Sequence, residues 1–339
     1  MRNSRVIIVI AILLTAVCCS KDDTPPVETK HDFAIYFLKN PNLKIKDILT
    51  KALADQDSTA LSKIEIQSLP WMTNDDIDFY DFSSHLVYLK QDIYHFFPPL
   101  VDMAYPISWW NKPFVVVANG QKRYVGAFIS SLSPDHWPLP EINDGFNFFL
   151  YPSDLLLIQW VWFPASDLND SRHDPVVKQS LIKANILHEG IKVKLNKVIF
   201  AVNSDTSTVE YTYTIKNNDL LNLYVLDPEK MGSALFHFYN NGPSLLKSDE
   251  TSTRESSLMK VEIPQPHDYW NPEWFTKINS GDSISRTVSL KGYTFFPPGI
   301  YYCEWFYMGI KQIPKNQRIL SDGRYWIGQT VSDVIAIQY

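Results

Sequence analysis

Hydrophobic and polar positions alternate differently in the two halves of this 339-residue chain. Phe33-Ala-Ile-Tyr-Phe-Leu38 is a dense run of β-favouring residues and predicts a strand. Ile45 to Leu53 has the spacing of a short helix, and Leu86 to Leu89 reads as a further strand. Thr73-Asn-Asp-Asp76 has the form of a helix N-cap with acid in the first turn, predicting a short helix to about Tyr80. Between Pro113 and Ile129, two β-rich runs flank Asn119-Gly120. That dipeptide tolerates positive φ at both central turn positions, so it predicts a tight hairpin. Leu155 to Phe163 is another apolar β run, closed by Pro164.

A polar link, Ala165 to Asp174, leads to Asp174-Pro175, a cap followed by the residue favoured at the first helical position. The helix is predicted to run to about His188 and stop at Gly190. Beyond it, short strands are predicted at Val193–Val202, Thr208–Lys216, Leu221–Leu226, Leu235–Tyr239, Leu258–Ile263, Ser283–Leu290, Ile300–Met308 and Val331–Ile337. Turn signals such as Asn217-Asn218-Asp219, Ser280-Gly281-Asp282 and Asp322-Gly323 separate them. This spacing argues for an antiparallel β-sandwich. The expected fold class is α+β: a mixed α/β domain over 32–164, a linker and helix over 165–190, and a β-sandwich domain over 191–339. No internal repeat is visible.

The N-terminus carries an address. Arg2 and Arg5 precede an apolar run from Val6 to Val17, interrupted by Thr15. A run of this length is too short to span a hydrocarbon core, which needs roughly 20 residues, but it suits a secretory signal. It ends in Leu14-Thr15-Ala16-Val17-Cys18-Cys19, followed by Ser20-Lys21-Asp22-Asp23. This segment resembles the signal of bacterial lipoproteins of the Bacteroidota type. The resemblance implies a diacylglycerol anchor on Cys19 after removal of residues 1–18, a flexible tether over 19–31, and export to the outer leaflet of the outer membrane. A periplasm-facing anchor is the alternative. The departure from the usual pattern is Cys18 where a small residue is commoner, and a lipid on Cys18 would move the anchor by one position. Two looser likenesses follow. Asp282 to Tyr302, with a Gly-Asp-Ser turn, an alternating strand and Pro-Gly-Ile-Tyr, is similar to immunoglobulin-like and fibronectin-like modules of bacterial surface proteins. Phe114 to Ile142 is similar to a strand–turn–strand and Pro-x-Ile arrangement in the periplasmic head of SecD-type translocase subunits.

The net charge is −6, and cleavage of the signal with Arg2 and Arg5 would take it to −8. An acidic chain without basic clusters is a poor binder of phosphate backbones, which excludes nucleic acid as a partner. With three cysteines in the whole chain, and Cys303 the one outside the signal and anchor, neither an internal disulfide nor a multi-cysteine metal site is expected. The densest polar cluster is Asp167, Asp170, Arg172, His173 and Asp174, with His188 and Glu189 further on. It is the combination that acid/base or metal-assisted hydrolysis would want, but helix structure explains most of it: Asp174 caps the helix, Pro175 starts it, and His188 falls in its last expected turn, where a cation suits the dipole. No His-Glu-x-x-His, no Gly-x-Ser-x-Gly elbow and no glycine-rich nucleotide loop occurs. Asn217-Asn218-Asp219 reads as a turn rather than a calcium loop. Cys303, with Met308 and a distant His237, reads as core rather than a copper site. Trp109, Trp110, Trp137, Trp270 and Trp274, in proline-stiffened loops, are candidate binding aromatics, either platforms for sugars and peptides or plugs over a core.

The sequence therefore points to a membrane-anchored envelope or surface lipoprotein with a non-catalytic binding or structural role, toward a glycan or an envelope protein. No catalytic residue, metal or cofactor is implied. The alternatives are an envelope hydrolase working at the Asp170–His188 region, or an accessory factor in envelope assembly or export.

Overall fold

The computed structural model describes residues 31–96, 111–130, 137–143, 151–160, 170–203, 206–247, 270–293 and 299–338. These residues form a mixed α/β structure that is mostly β, arranged in several sheets.

The five-stranded sheet runs in the order Met72–Thr73, Phe33–Phe37, Lys112–Ala118, Gln121–Ile129, Glu141–Asn143. Its central hairpin turns at Asn119 and Gly120, with φ of 49° and 73°. Side chains alternate across a strand, so the sheet has two faces, and both are apolar. Ala34, Tyr36, Val115, Val117, Val125 and Ala127 pack against Ile45, Leu53 and Leu61 of three short helices. Phe33, Ile35, Phe37, Phe114, Val116 and Tyr124 face the other way, toward Val177 and Leu181 of the Pro175–Lys183 helix and toward a second sheet.

That second sheet runs Leu155–Leu157, Leu86–Leu89, Ile77–Asp81, Leu187–His188, with the last pair parallel. It is the wall between two cores. Tyr80, Val87 and Leu156 point into the core just described, while Phe79, Leu86, Tyr88, Leu155 and Leu157 point into the core of residues 191–327. In that second core, Val209, Tyr211, Tyr213 and Ile215 are fully buried, and Thr212 and Thr214 bond Thr287 and Ser285 across the outer face at 2.9 and 2.7 Å. This is the alternation predicted for Thr208–Lys216. Trp305 is fully buried among Tyr213, Tyr211, Tyr307 and Phe236, with ring centroids 4.4 to 6.1 Å away. Cys303 is buried beside it, a core residue as expected.

Several elements differ from the sequence expectation, each for a local reason. Ile45–Leu53 is two helices, Ile45–Ile48 and Lys51–Ala54, because the Thr50 side chain accepts from the Leu53 N–H and starts a new one. Thr73 and Asp76 form the expected capping box, but it opens a single 3₁₀ turn, and the chain enters a strand at Ile77. The helix capped by Asp174 ends at Lys183 rather than near His188. Asn185 takes φ 58°, and Leu187–His188 joins the second sheet, with Tyr80 and Phe82 N–H donating to the Ile186 and His188 carbonyls at 2.7 and 2.8 Å. Leu235–Tyr239 lies in a helix, Ser233–Asn240, not a strand. A short apolar run carries no period that separates the two. Ile300–Met308 is broken at Trp305, and Val331–Ile337 at Ser332, Asp333 and Val334. The strand expected at Leu258–Ile263 lies outside the described residues.

Candidate functional site

The polar cluster of the sequence separates into two sites on either side of the turn between Asp81 and Leu86. The Pro175–Lys183 helix fixes the first. The Asp174 carboxylate accepts from the Val176 and Val177 N–H groups at 2.7 and 3.1 Å, and Arg123 donates to its other oxygen at 2.7 Å. Just before the cap, a 3₁₀ turn at Ser171–His173 places Arg172 and His173 around Asp170. Arg172 grips the buried Asp170 carboxylate through Nε and Nη2 at 2.6 to 3.1 Å, and its Nη1 donates to the Ile158 carbonyl at 2.8 Å. His173 Nδ1 lies 3.3 Å from Asp170 Oδ2.

The residue that completes the group is His85, which no motif or local pattern singles out. It sits in the turn between Ile77–Asp81 and Leu86–Leu89 with φ 53°, a conformation uncommon for a non-glycine residue. It is 1 % exposed. Its Nε2 is 3.3 Å from His173 Nε2, and its Nδ1 is 3.0 Å from the Tyr80 hydroxyl. Phe82 packs edge-on against both imidazoles. Burial, then the Arg172 charge and His173, hold the His85 pKa well below its ordinary value, so this imidazole is neutral. A continuous chain of polar contacts runs from Tyr80 Oη to His85 Nδ1, from His85 Nε2 to His173 Nε2, and from His173 Nδ1 to Asp170 Oδ2, with donor and acceptor set by the tautomer of each ring. One imidazole nitrogen each from His85 and His173 and a carboxylate oxygen of Asp170 lie within 4.8 Å of one another.

The second site holds His188, the other half of the predicted cluster. Its Nδ1 meets Asp219 at 2.9 and 3.1 Å rather than any group of the first site. Asp219 in turn accepts from Arg324 Nη2 at 2.8 Å, and the same nitrogen donates to Asp81 at 2.6 Å. Asp81 also accepts from Ser83 Oγ, Ser84 N and Ser84 Oγ at 2.6 to 3.2 Å. Arg324 is fully buried, and its guanidinium lies over the Phe79 ring. Glu189 pairs with Lys178 at 2.7 Å. Asn217-Asn218-Asp219 is a turn as expected, with the Asp219 N–H donating to Asn217 Oδ1 at 2.8 Å. Asp167 lies outside the described residues.

Burial alone would raise the carboxyl pKa of Asp170 and Asp219, but their cationic and hydrogen-bonding partners bring both well below the usual range: Arg172 and His173 for Asp170, His188 and Arg324 for Asp219. Asp227, held by Arg286 and Thr276, shifts the same way. A carboxyl depressed on folding stabilises the native state above its unfolded pKa of about 3.9, and that contribution disappears as pH falls toward the folded value. Urea midpoints are therefore expected to fall in two stages: first below about pH 6.5, where the unfolded chain protonates a histidine that the fold keeps neutral at His85, and then more steeply below about pH 4, where the unfolded carboxyls take up protons. Equal midpoints at pH 5 and pH 3 would contradict this role for the three carboxylates.

Of the candidate aromatics, Trp137 is partly buried over the helix-covered face of the five-stranded sheet, with Nε1 3.3 Å from Asn111 Oδ1. Trp270 packs on Tyr325 and Phe275 at 5.2 and 6.3 Å, and Trp274 on Tyr239 at 6.1 Å. Both are partly buried against the second core. Trp109, Trp110 and the anchor Cys19 lie outside the described residues.

No protein-family model and no curated protein matches the chain. Among solved structures it is similar to Northeast Structural Genomics Consortium target SoR45, at 12 % identity over 44 % of this chain and 87 % of that one, with a TM-score of 0.23. It is also similar to a β-glucosidase from Kluyveromyces marxianus, at 9 % identity over 44 % of this chain and 14 % of that one, with a TM-score of 0.15. Neither likeness, at these TM-scores, bears on fold or function.

Proposed function

We propose that the chain is a lipid-anchored envelope protein, held at the bacterial outer membrane through Cys19 with its body at the cell surface, and that it acts there by non-catalytic binding or as a structural component. The observation that carries the non-catalytic part is the use made of the polar cluster. Asp174 caps a helix, Asp170 is clamped by Arg172, His188 is tied to Asp219, and Glu189 is paired with Lys178. A general acid or base needs to reach a substrate proton, and in this cluster the described carboxylates are engaged by structural partners. Attachment is assigned to the lipid because Leu14-Thr15-Ala16-Val17-Cys18-Cys19 resembles a lipoprotein signal. The β-rich region after residue 190 is read as an immunoglobulin-like sandwich suited to display at a surface. A glycan or an envelope protein is the partner favoured by the loop tryptophans. Trp270 and Trp274 rest one side on the core, which limits their platform to the side left open.

The test combines metabolic labelling with radioactive palmitate and protease treatment of intact cells. Label is expected in the wild-type chain and lost in Cys19→Ala, with the body removed by external protease. Label that survives in Cys19→Ala but not Cys18→Ala moves the anchor by one residue. Absence of label from every form overturns the lipid attachment, and protection from protease places the body in the periplasm.

A further inference from the structure

We infer that His85 and His173 together form a binding site for a late first-row divalent cation of the Zn²⁺ or Cu²⁺ class, ligated through their facing Nε2 atoms. Three geometric features lead there. The two Nε2 atoms are 3.3 Å apart. Two nitrogens sharing one tetrahedral ion at about 2.0–2.1 Å stand roughly 3.3–3.4 Å apart. Each ring is also held from behind, at its other nitrogen, by an oxygen: Tyr80 Oη at 3.0 Å for His85, and Asp170 Oδ2 at 3.3 Å for His173. A ligating histidine nearly always gives its second N–H to such an oxygen, which fixes the tautomer and aims the lone pair. With both Nδ1 atoms protonated toward these oxygens, the two neighbouring Nε2 atoms are both acceptors with no proton between them, an arrangement that a cation bound by both satisfies.

The third feature is the difference in mobility and access of the two rings. His85 is buried and locked in a left-handed backbone conformation, so its ring is preorganised. The His173 side chain is 56 % exposed. It can turn by the small amount needed to aim both lone pairs at one point, since the ring centroids now stand 4.6 Å apart at 77°, and solvent reaches the ion from its side. Two coordination positions are left for water or for a group from a partner. Asp170 acts as the orienting carboxylate rather than a ligand, because Arg172 occupies both of its oxygens. The Arg172 charge also cancels that of Asp170, so the site offers no net negative charge. It therefore favours ions that bind neutral imidazole over the oxygen-seeking Ca²⁺ and Mg²⁺.

The measurement is Zn²⁺ transfer from a chromophoric chelator to the purified full-length chain, together with thermal unfolding with and without Zn²⁺. An ion that binds the native state raises the unfolding midpoint. The expected result is one tight equivalent per chain and a higher midpoint. In His173→Ala, affinity should fall about 10-fold or more and the midpoint shift should vanish, since even loss of a supporting partner commonly costs 10–100-fold. His173 is exposed, so this variant retains its fold, and circular dichroism verifies that. Exchange of the exposed His95 for alanine leaves binding unchanged. Cu²⁺ bound to the wild-type chain should show coupling to two ring nitrogens in its frozen-solution spectrum. The inference is overturned if the wild-type chain takes up no Zn²⁺, or if His173→Ala binds it as tightly as the wild type.

Discussion

Replacing Arg324 by methionine is expected to destabilise the fold by about 3–5 kcal/mol, because it leaves buried carboxylates without their counter-ion. One guanidinium nitrogen, Nη2, bridges Asp81 and Asp219, which are 1 and 2 % exposed. The three residues come from distant parts of the chain: Asp81 from the wall between the two cores, Asp219 from the turn after Thr206–Asn217, and Arg324 from the strand Gly323–Tyr325. Without Arg324, two negative charges face each other out of water. Asp81 keeps its bonds from Ser83 and Ser84, and Asp219 keeps His188, so the loss stays well short of that for two wholly unsolvated ions. The bridge itself is not optimal, since Arg324 Nε and Nη1 are buried without a partner among the described residues. It follows that Arg324→Met combined with Asp81→Asn and Asp219→Asn should recover much of the loss, as removal of a whole buried ion set is often near neutral. Urea unfolding of the single and triple variants decides. A single variant within about 1 kcal/mol of the wild type, the range of an exposed pair, would show that the bridge contributes little.

Local chemistry was legible in the sequence, while pairing over distance was not. The Asn119-Gly120 turn, the Thr73 and Asp174 caps and the in–out alternation of Val209, Tyr211, Tyr213 and Ile215 depend on neighbours a few residues away, and each is present. Where tertiary contact decides the conformation, local pattern does not predict it. Leu187 and His188 extend the helix pattern but are taken into a sheet beside Ile77–Asp81, and the apolar run at Leu235–Tyr239 becomes helical behind Gly232. The candidate site shows the same division. Asp170, Arg172 and His173 are adjacent and were readable as a cluster. His85 joins them from 88 residues away. In sequence it is a lone histidine in a serine-rich turn, and nothing local sets it apart from any other turn residue. Proximity along the chain groups His188 with Asp170, whereas the fold gives it to Asp219 and thence to Arg324.

Gly190→Ala should be nearly as damaging as the loss of Arg324, and for a connected reason. Gly190 has φ +70°, where an L side chain costs about 1–2 kcal/mol. A Cβ there would also stand 2.1 Å from Ser83 Oγ and 2.6 Å from Asp81 Oδ1. Forcing a methyl into packed surroundings adds about 1–3 kcal/mol, so a total of roughly 2–5 kcal/mol is expected. Gly281 separates the two contributions. Its φ is +81° with nothing within 4 Å of the added Cβ, so Gly281→Ala should show the conformational cost alone. Equal losses at the two glycines would mean that close approach to Ser83 and Asp81 is not what requires glycine at 190. The contact has a further consequence. The methyl displaces Ser83 and the Asp81 carboxylate, which is the group that Arg324 grips from the other side. Substitutions that act through one shared residue do not add. Gly190→Ala with Arg324→Met should therefore cost measurably less than the sum of the two, whereas Gly281→Ala with Arg324→Met should be additive. Additivity in both pairs would uncouple the Gly190 turn from the buried bridge and leave each as a separate local feature of the fold.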